Sequence, residues 1–211
     1  MLKIDLQLFG GRGASSGGKG GSGAKGRTQR EHEEKWGEPP SKAKQLADRN
    51  GISLSDADDQ VTAIKDYSGT DYSEIRAAQY NGNTNSMYYD QAQAIEAYIA
   101  QSPTWDGGNI YRGIKMDADS FSQMQVGGRI DMRGLSSWSS DEQIAHNFAQ
   151  SYGTKKSVVF RSKGTKQGAS ITHLSKFGTS ESEVLVSGKA TWTIKKITKV
   201  GNITYVDVKE D

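Results

Sequence analysis

Residues 177–186 read Phe-Gly-Thr-Ser-Glu-Ser-Glu-Val-Leu-Val. A Gly- and Ser-rich loop runs into an apolar segment predicted to be a strand over 183–187, and two carboxylates, Glu181 and Glu183, stand at its start. If the chain is already extended there, both face one side, ~7 Å apart. Paired carboxylates suit stabilisation of a cationic transition state and handling of a basic nucleophile. An acidic strand edge that discourages aggregation would look the same.

On either side of this stretch the pattern repeats. Segments 109–114, 129–132, 135–138, 157–161, 169–174, 191–198 and 203–208 are short, rich in Ile, Val, Thr and Trp, and separated by glycine turns, as strands are. One helix is predicted among them over 141–152, capped by Ser139 or Ser140, with Ile144, Ala145, Phe148, Ala149 and Tyr152 as its buried stripe. Before residue 109 the period changes to that of helices, over 41–49, 55–67, 72–80 and 88–100, the last stopped by Pro103. Helices first and strands afterwards predict an α+β domain over 41–211, with a helical part at 41–108 and a β-rich part at 109–211.

Two further places could carry chemistry. In Ile110-Tyr111-Arg112-Gly113 an arginine sits in a hydrophobic strand, where its charge must be paired or solvated. Its planar fork of donors, beside a glycine, suits a phosphate that approaches the backbone closely, although a half-exposed strand Arg would read alike. In Leu135-Ser136-Ser137-Trp138-Ser139-Ser140-Asp141, strand alternation puts Ser137 and Ser139 on one side, where small hydroxyls could orient a carboxylate. Helix capping and a turn would explain the same serines.

Composition excludes much else. The 211 residues include no Cys, which removes disulfides, thiolate metal sites and cysteine nucleophiles. His32, His146 and His173 form no spaced pair, so no metal is expected. Trp36, Trp105 and Trp192 read as packing residues, whereas Trp138, inside the Ser motif, could border a ligand pocket. No apolar run is long enough for a membrane span, and the formal net charge of +2 argues against a dedicated nucleic-acid binder. Residues 1–30 carry +5 and the remainder −3, a basic tail on a mildly acidic body.

The order of the three motifs, an Arg strand, a Ser-x-Ser strand, then Glu-x-Glu before an apolar strand, resembles the Arg-Ser-Glu class of mono-ADP-ribosyltransferases, the class of the clostridial binary toxins and their bacterial and phage relatives. The resemblance covers roughly 41–211 and implies N-terminal helices packed on a two-sheet mixed β core. It implies that Arg112 grips the diphosphate of NAD, the co-substrate, and that Ser137 holds Glu183. Glu183 would then stabilise the oxocarbenium formed as nicotinamide leaves. Gly113, Trp138 and Ser139 would border the NAD site. Glu181 would orient an arginine of a host protein, since Glu at that position accompanies arginine acceptors in the family, and Phe177 matches an aromatic of the target-contacting loop. Trp138 departs from the usual Thr of the Ser-Thr-Ser motif. The implied alternatives are an NAD glycohydrolase on the same site, or a phage virion-associated structural protein with a transferase-like body.

The tail is separate. Leu2, Ile4, Leu6 and Leu8 alternate with polar residues, as in a strand awaiting a sheet edge, although a disordered terminus would read alike. Lys3, Asp5 and Gln7 break any secretory apolar core. Nine glycines in residues 10–26 predict a flexible linker, in which GxGxxG and near-Walker matches are coincidences of composition. Residues 1–40 are thus expected to be a docking segment and linker. Met1–Gly13 is similar to the openings of structural or head-associated proteins of phages of Gram-positive bacteria. That implies a phage or prophage origin, docking on a virion component through residues 1–9, and location in the virion or the bacterial host cytoplasm.

Overall fold

The computed structural model describes residues 2–3, 40–150 and 153–211. Four helices come first among the elements of the body: α1 (Lys42–Asn50), α2 (Leu54–Tyr67), α3 (Tyr72–Asn81) and α4 (Met87–Gln101). Their ends are set locally. The Ser41, Ser53 and Ser86 hydroxyls accept from the backbone N–H of Lys44, Asp56 and Tyr88, and Gly51 and Gly82 close α1 and α3 with φ of 65° and 64°. The apolar faces of the helices, among them Leu46, Ile64, Tyr67, Ile75, Ile95 and Tyr98, bury against Leu135 and against Ala169 and Leu185 of the sheet.

The strands are β1 (Leu2–Lys3), β2 (Ile110–Met116), β3 (Arg129–Asp131), β4 (Ser136–Ser139), β5 (Lys156–Ser162), β6 (Gly168–Ser170), β7 (Glu183–Val186), β8 (Thr191–Val200) and β9 (Ile203–Glu210). They lie in the order β1-β3-β8-β9-β5-β2-β4-β7-β6, with β1/β3 and β5/β9 parallel and the other pairs antiparallel. The two expected sheets are therefore two halves of one hydrogen-bonded sheet. The halves meet at a single register pair, Tyr111 with Ser139, where β2 and β4 diverge. A second core, built around Trp138, Trp192, Phe160, Val184 and Val206, lies among the strands of both halves. The α+β class, with helices leading into a mixed sheet, is as the sequence predicts.

Boundaries differ from the expected ones in instructive places. Helix α5 (Ala118–Ser122), capped by Asp117, went unpredicted because five residues carry no period. Strand β6 is shorter than the predicted 169–174, because Leu174 and Ser175 donate backwards to the Ile171 carbonyl in a turn. Helix α6 (Glu142–Ala149) is capped by Asp141, which accepts from Gln143 N–H, rather than by Ser139 or Ser140. Tyr152 lies outside the described residues, as do His32, Trp36 and residues 4–9 of the predicted docking segment. Leu2 and Lys3 pair with Ile130 and Asp131 of the chain's own β3. No helix of the described residues is long and apolar enough to cross a membrane.

Candidate active site

The divergence of β2 from β4 positions the first site residue. With only Ser139 in register with β2, the Ser137 carbonyl is left facing the gap, and Arg112 Nη1 donates to it. Arg112 is fully buried. Burial, and then the charge of Arg76, bring its guanidinium down to about 9. Arg76 reaches in from α3, also buried, and its Nη2 donates to the carbonyls of Met132 at 2.6 Å and Arg133 at 3.2 Å.

Strand β4 supplies the serines. Register sets Ser137 opposite Leu185 and Ser139 opposite Glu183, so both serines and Glu183 share the face turned to the helices. The Ser137 hydroxyl is buried and makes no hydrogen bond of ordinary geometry, yet it lies near enough to Glu183 to favour the charged carboxylate. Ser139 Oγ donates to the Glu181 carbonyl at 2.7 Å and accepts from Asp141 N–H at 3.0 Å. The backbone N–H of Ser140 donates to the Ser182 carbonyl at 3.1 Å. The loop carrying the two carboxylates is thus fastened to the end of β4.

Glu183 is 2 % exposed. Burial pushes its carboxyl up to about 7, and the charge of Glu181 adds to the rise, while Ser137, Ser175 and Arg112 oppose it. Ser175 Oγ donates to Glu183 Oε2 at 3.4 Å and borders a cavity of about 460 Å³ with Lys65, Asp66, Gly69, Thr70 and Lys176. Tyr67, from the end of α2, is buried near the group. Its hydroxyl donates to the Leu135 carbonyl at 3.0 Å, and burial raises its pKa in a setting that Arg76, Arg112, Ser137 and Glu183 all influence.

The structure therefore brings Arg112, Ser137 and Glu183 together, with Glu181 beside them. Three expectations change. The extended geometry assumed for Glu181-Ser182-Glu183 does not hold: Glu181 follows a 3-10 turn over Gly178–Ser180 with helical backbone, and Ser182 has φ of 45°. Trp138 borders no pocket at this site; it lies on the opposite face, fully buried, 4.9 Å from Trp192 between ring centroids. Gly113 makes room for α6 rather than for a ligand, since a Cβ there would fall 1.7 Å from the Ala145 carbonyl oxygen. Ser139 has its hydroxyl committed to the backbone and acts on the loop. Phe177 is 40 % exposed at the lip of that loop.

Sequence reasoning missed Arg76, Tyr67 as part of this cluster, and Ser175. A charged residue at a buried helical position is the one signal the sequence offered for Arg76; a Tyr at core spacing and a Ser in a loop offered none. Two buried guanidiniums whose charges act on each other suit a diphosphate, which two fixed positive charges complement. The unsatisfied Ser137 hydroxyl is the further polar atom that a sugar could engage. These residues fit NAD. Among the described residues no group of three or more His, Asp or Glu could hold a metal ion.

Residues 32–211 match the family model described as ADP-ribosyltransferase exoenzyme. The chain belongs to that family. No curated protein matches the sequence. Among solved structures, the Vis toxin of Vibrio splendidus, an ADP-ribosyltransferase, is similar at 21% identity and a TM-score of 0.60, over 80% of this chain and 82% of that one. Exoenzyme S of Pseudomonas aeruginosa, solved with human 14-3-3 protein beta and carba-NAD, is similar at 18% identity and a TM-score of 0.59, over 80% and 86%. The eukaryotic mono-ADP-ribosyltransferase ART2.2 is similar at 19% identity and a TM-score of 0.56, over 80% and 77%. At these identities the likeness is one of fold. As an ADP-ribosyltransferase the chain takes NAD as co-substrate.

Proposed function

We propose that this ADP-ribosyltransferase moves ADP-ribose from NAD to an arginine of a protein. What supports the reading is the convergence of Arg112, Ser137 and Glu183 in one buried cluster, with the second carboxylate, Glu181, next to Glu183. Arg112, with Arg76 beside it, holds the diphosphate by charge-assisted hydrogen bonds. Ser137 keeps Glu183 in position. The Glu183 carboxylate accepts a hydrogen bond from the 2′-hydroxyl of the nicotinamide ribose and stabilises the cation that forms as the glycosidic C–N bond breaks and nicotinamide leaves with the electron pair. A guanidinium nitrogen then attacks the anomeric carbon, and Glu181 orients it and draws off its proton, which an always-charged guanidinium needs. Phe177 lines the approach of the acceptor. Vis, of similar fold, has been solved with agmatine, itself a guanidine.

Labelled NAD incubated with bacterial lysate tests the reading: label transferred to protein and released by neutral hydroxylamine supports an arginine linkage. Glu181→Gln abolishes that transfer while leaving NAD cleavage within about tenfold of the parent. Equal loss of both activities would show the two carboxylates not to divide the work as proposed, and NAD cleavage without labelled protein in the parent would mark a glycohydrolase.

The enzyme acts on host protein as a phage-encoded effector, a reading supported by the resemblance of Met1–Gly13 to phage structural proteins. Normal infection and particle assembly with Glu183→Ala, against failed assembly after deletion of residues 1–13, would instead assign the chain a structural place in the virion.

A further inference from the structure

Glu183 ends a row of side chains that continues across the sheet. Register sets Glu183 opposite Ser139, Ser139 opposite Tyr111, Tyr111 opposite Arg161, and Arg161 opposite Asp207. Directly opposed residues on neighbouring strands share a face. The row therefore crosses β7, β4, β2, β5 and β9, a span of at least roughly 19 Å at ~4.8 Å per strand, since β2 and β4 meet at one pair only.

Its far end opens into a cavity of about 730 Å³. Trp105 and Tyr111 form apolar walls, and Lys163, Lys166, Lys195 and Lys209 stand exposed on the rim. The cavity is held open by structure of its own. Trp105 pairs with Thr165 across the two bordering loops, and its Nε1 donates to the Gly108 carbonyl at 3.1 Å.

The carboxylates of this cavity are already committed. Asp207 pairs with Arg161, and Glu210, 6 % exposed, accepts from Lys166 N–H and from Gln167 Nε2. None of the four rim lysines pairs with a carboxylate among the described residues. Exposed lysines alone are solvated surface. Four of them around a concave aromatic wall, on a chain carrying −3 beyond its first 30 residues, are a local reversal of charge that complements an anion. A nucleic acid is the poorer match. Asp207 and Glu210 stand among the cations, and four lysines fall short of the ~6–10 phosphate contacts of a nucleic-acid binder. The row also leads to a carboxylate pair suited to a guanidinium on a protein.

We propose that this groove docks an acidic segment of the acceptor protein, lying at least about six residues from the arginine presented to Glu181 and Glu183; Ser139 and Glu183 are buried, so the acceptor passes over the row rather than along it, and six extended residues at ~3.3 Å each are the minimum. This rests on the arginine-transfer reading above and adds to it the class of protein segment selected.

Two synthetic peptides test it. Each carries one arginine; one has four glutamates beginning six residues away and the other has glutamines there. With saturating NAD the acidic peptide is expected to have a KM lower by roughly tenfold, at equal kcat, with the gap closing as salt rises. In Lys163→Glu/Lys209→Glu the gap disappears, while NAD cleavage and transfer to agmatine stay at parental rates. If that variant does not fold, Lys163→Gln/Lys195→Gln is expected to shrink the gap with the same two controls unchanged. Equal KM for both peptides, in a parent enzyme that modifies agmatine, overturns the groove and leaves arginine transfer standing. Anisotropy of the fluorescein-labelled acidic peptide separates the converse: binding that the lysine variants abolish, in an enzyme that modifies no guanidine, supports the groove and overturns arginine transfer. Tighter binding of a single-stranded oligonucleotide of equal charge overturns the assignment to an acidic peptide.

Discussion

A carboxyl titrating at about 7 leaves Glu183 only partly charged at neutral pH, and the proposed chemistry uses the charged form. For the free enzyme, kcat/KM for NAD cleavage is therefore expected to fall tenfold per pH unit below the pKa and to level off above it. A pH–rate profile flat from pH ~5 to ~8 would contradict this. Stability runs the other way. Because the folded-state pKa is raised, from 4.5 to about 7, folding favours the protonated acid. The stability this gives is complete below the unfolded value and is lost as pH climbs through the folded one. Glu183→Gln is thus expected to cost ~10²–10³ in NAD cleavage. It should equal the parent in denaturant melts near pH ~4 and exceed it by up to about 3 kcal/mol above pH ~8. Arg112, Ser137, Glu181 and Glu183 were legible because each breaks a local pattern, a charge in an apolar strand or a repeated polar side chain at alternate positions. Trp138 was misplaced although alternation alone sets it on the face opposite Ser137 and Ser139.

Strands and helices of seven residues or more were readable to within one or two residues, as in β2, predicted over 109–114 and observed over Ile110–Met116, except that α6, predicted over 141–152, ends at Ala149. Their period and their caps are local properties. Short elements such as α5 and the turn after β6 are fixed by hydrogen bonds among neighbours rather than by any period. The pairing of β2 with α6 supplies the sharpest test at this scale. Gly113→Ala places a methyl where the Ala145 carbonyl oxygen would lie 1.7 Å away, and the obstacle is backbone, which cannot swing aside. A loss of at least ~3 kcal/mol, or failure to fold, is expected in chemical denaturation. The sequence suggested a ligand for this glycine because close approach by a phosphate and by a helix select the same residue.

At the scale of the molecule, a buried polar clamp joins the helices to the strands of the candidate site. Glu96 of α4 accepts from Ser187 Oγ at 2.6 Å, Gly188 N–H at 2.8 Å and Gln79 Nε2 at 2.6 Å. Gln79 Oε1 in turn accepts from Leu135 N–H at 2.8 Å, so the clamp grips the end of β7 and the approach to β4 together. Glu96→Ala leaves these donors without acceptors and is expected to lower stability by ~2–4 kcal/mol in urea melts. Glu96→Gln should lose less. None of this was legible, because partners 91 and 92 residues apart are matched by topology, and strand order leaves no trace in periodicity. Glu183 is 2 % exposed, and the loop before it is tied to the helices where Lys176 N–H donates to Ser68 Oγ at 2.9 Å, so entry of the dinucleotide is expected to require that contact to open. If opening precedes binding, the apparent affinity is the intrinsic one reduced by the population of the open form. In stopped-flow mixing the observed association rate should plateau at high dinucleotide concentration, at the frequency with which the latch lets go.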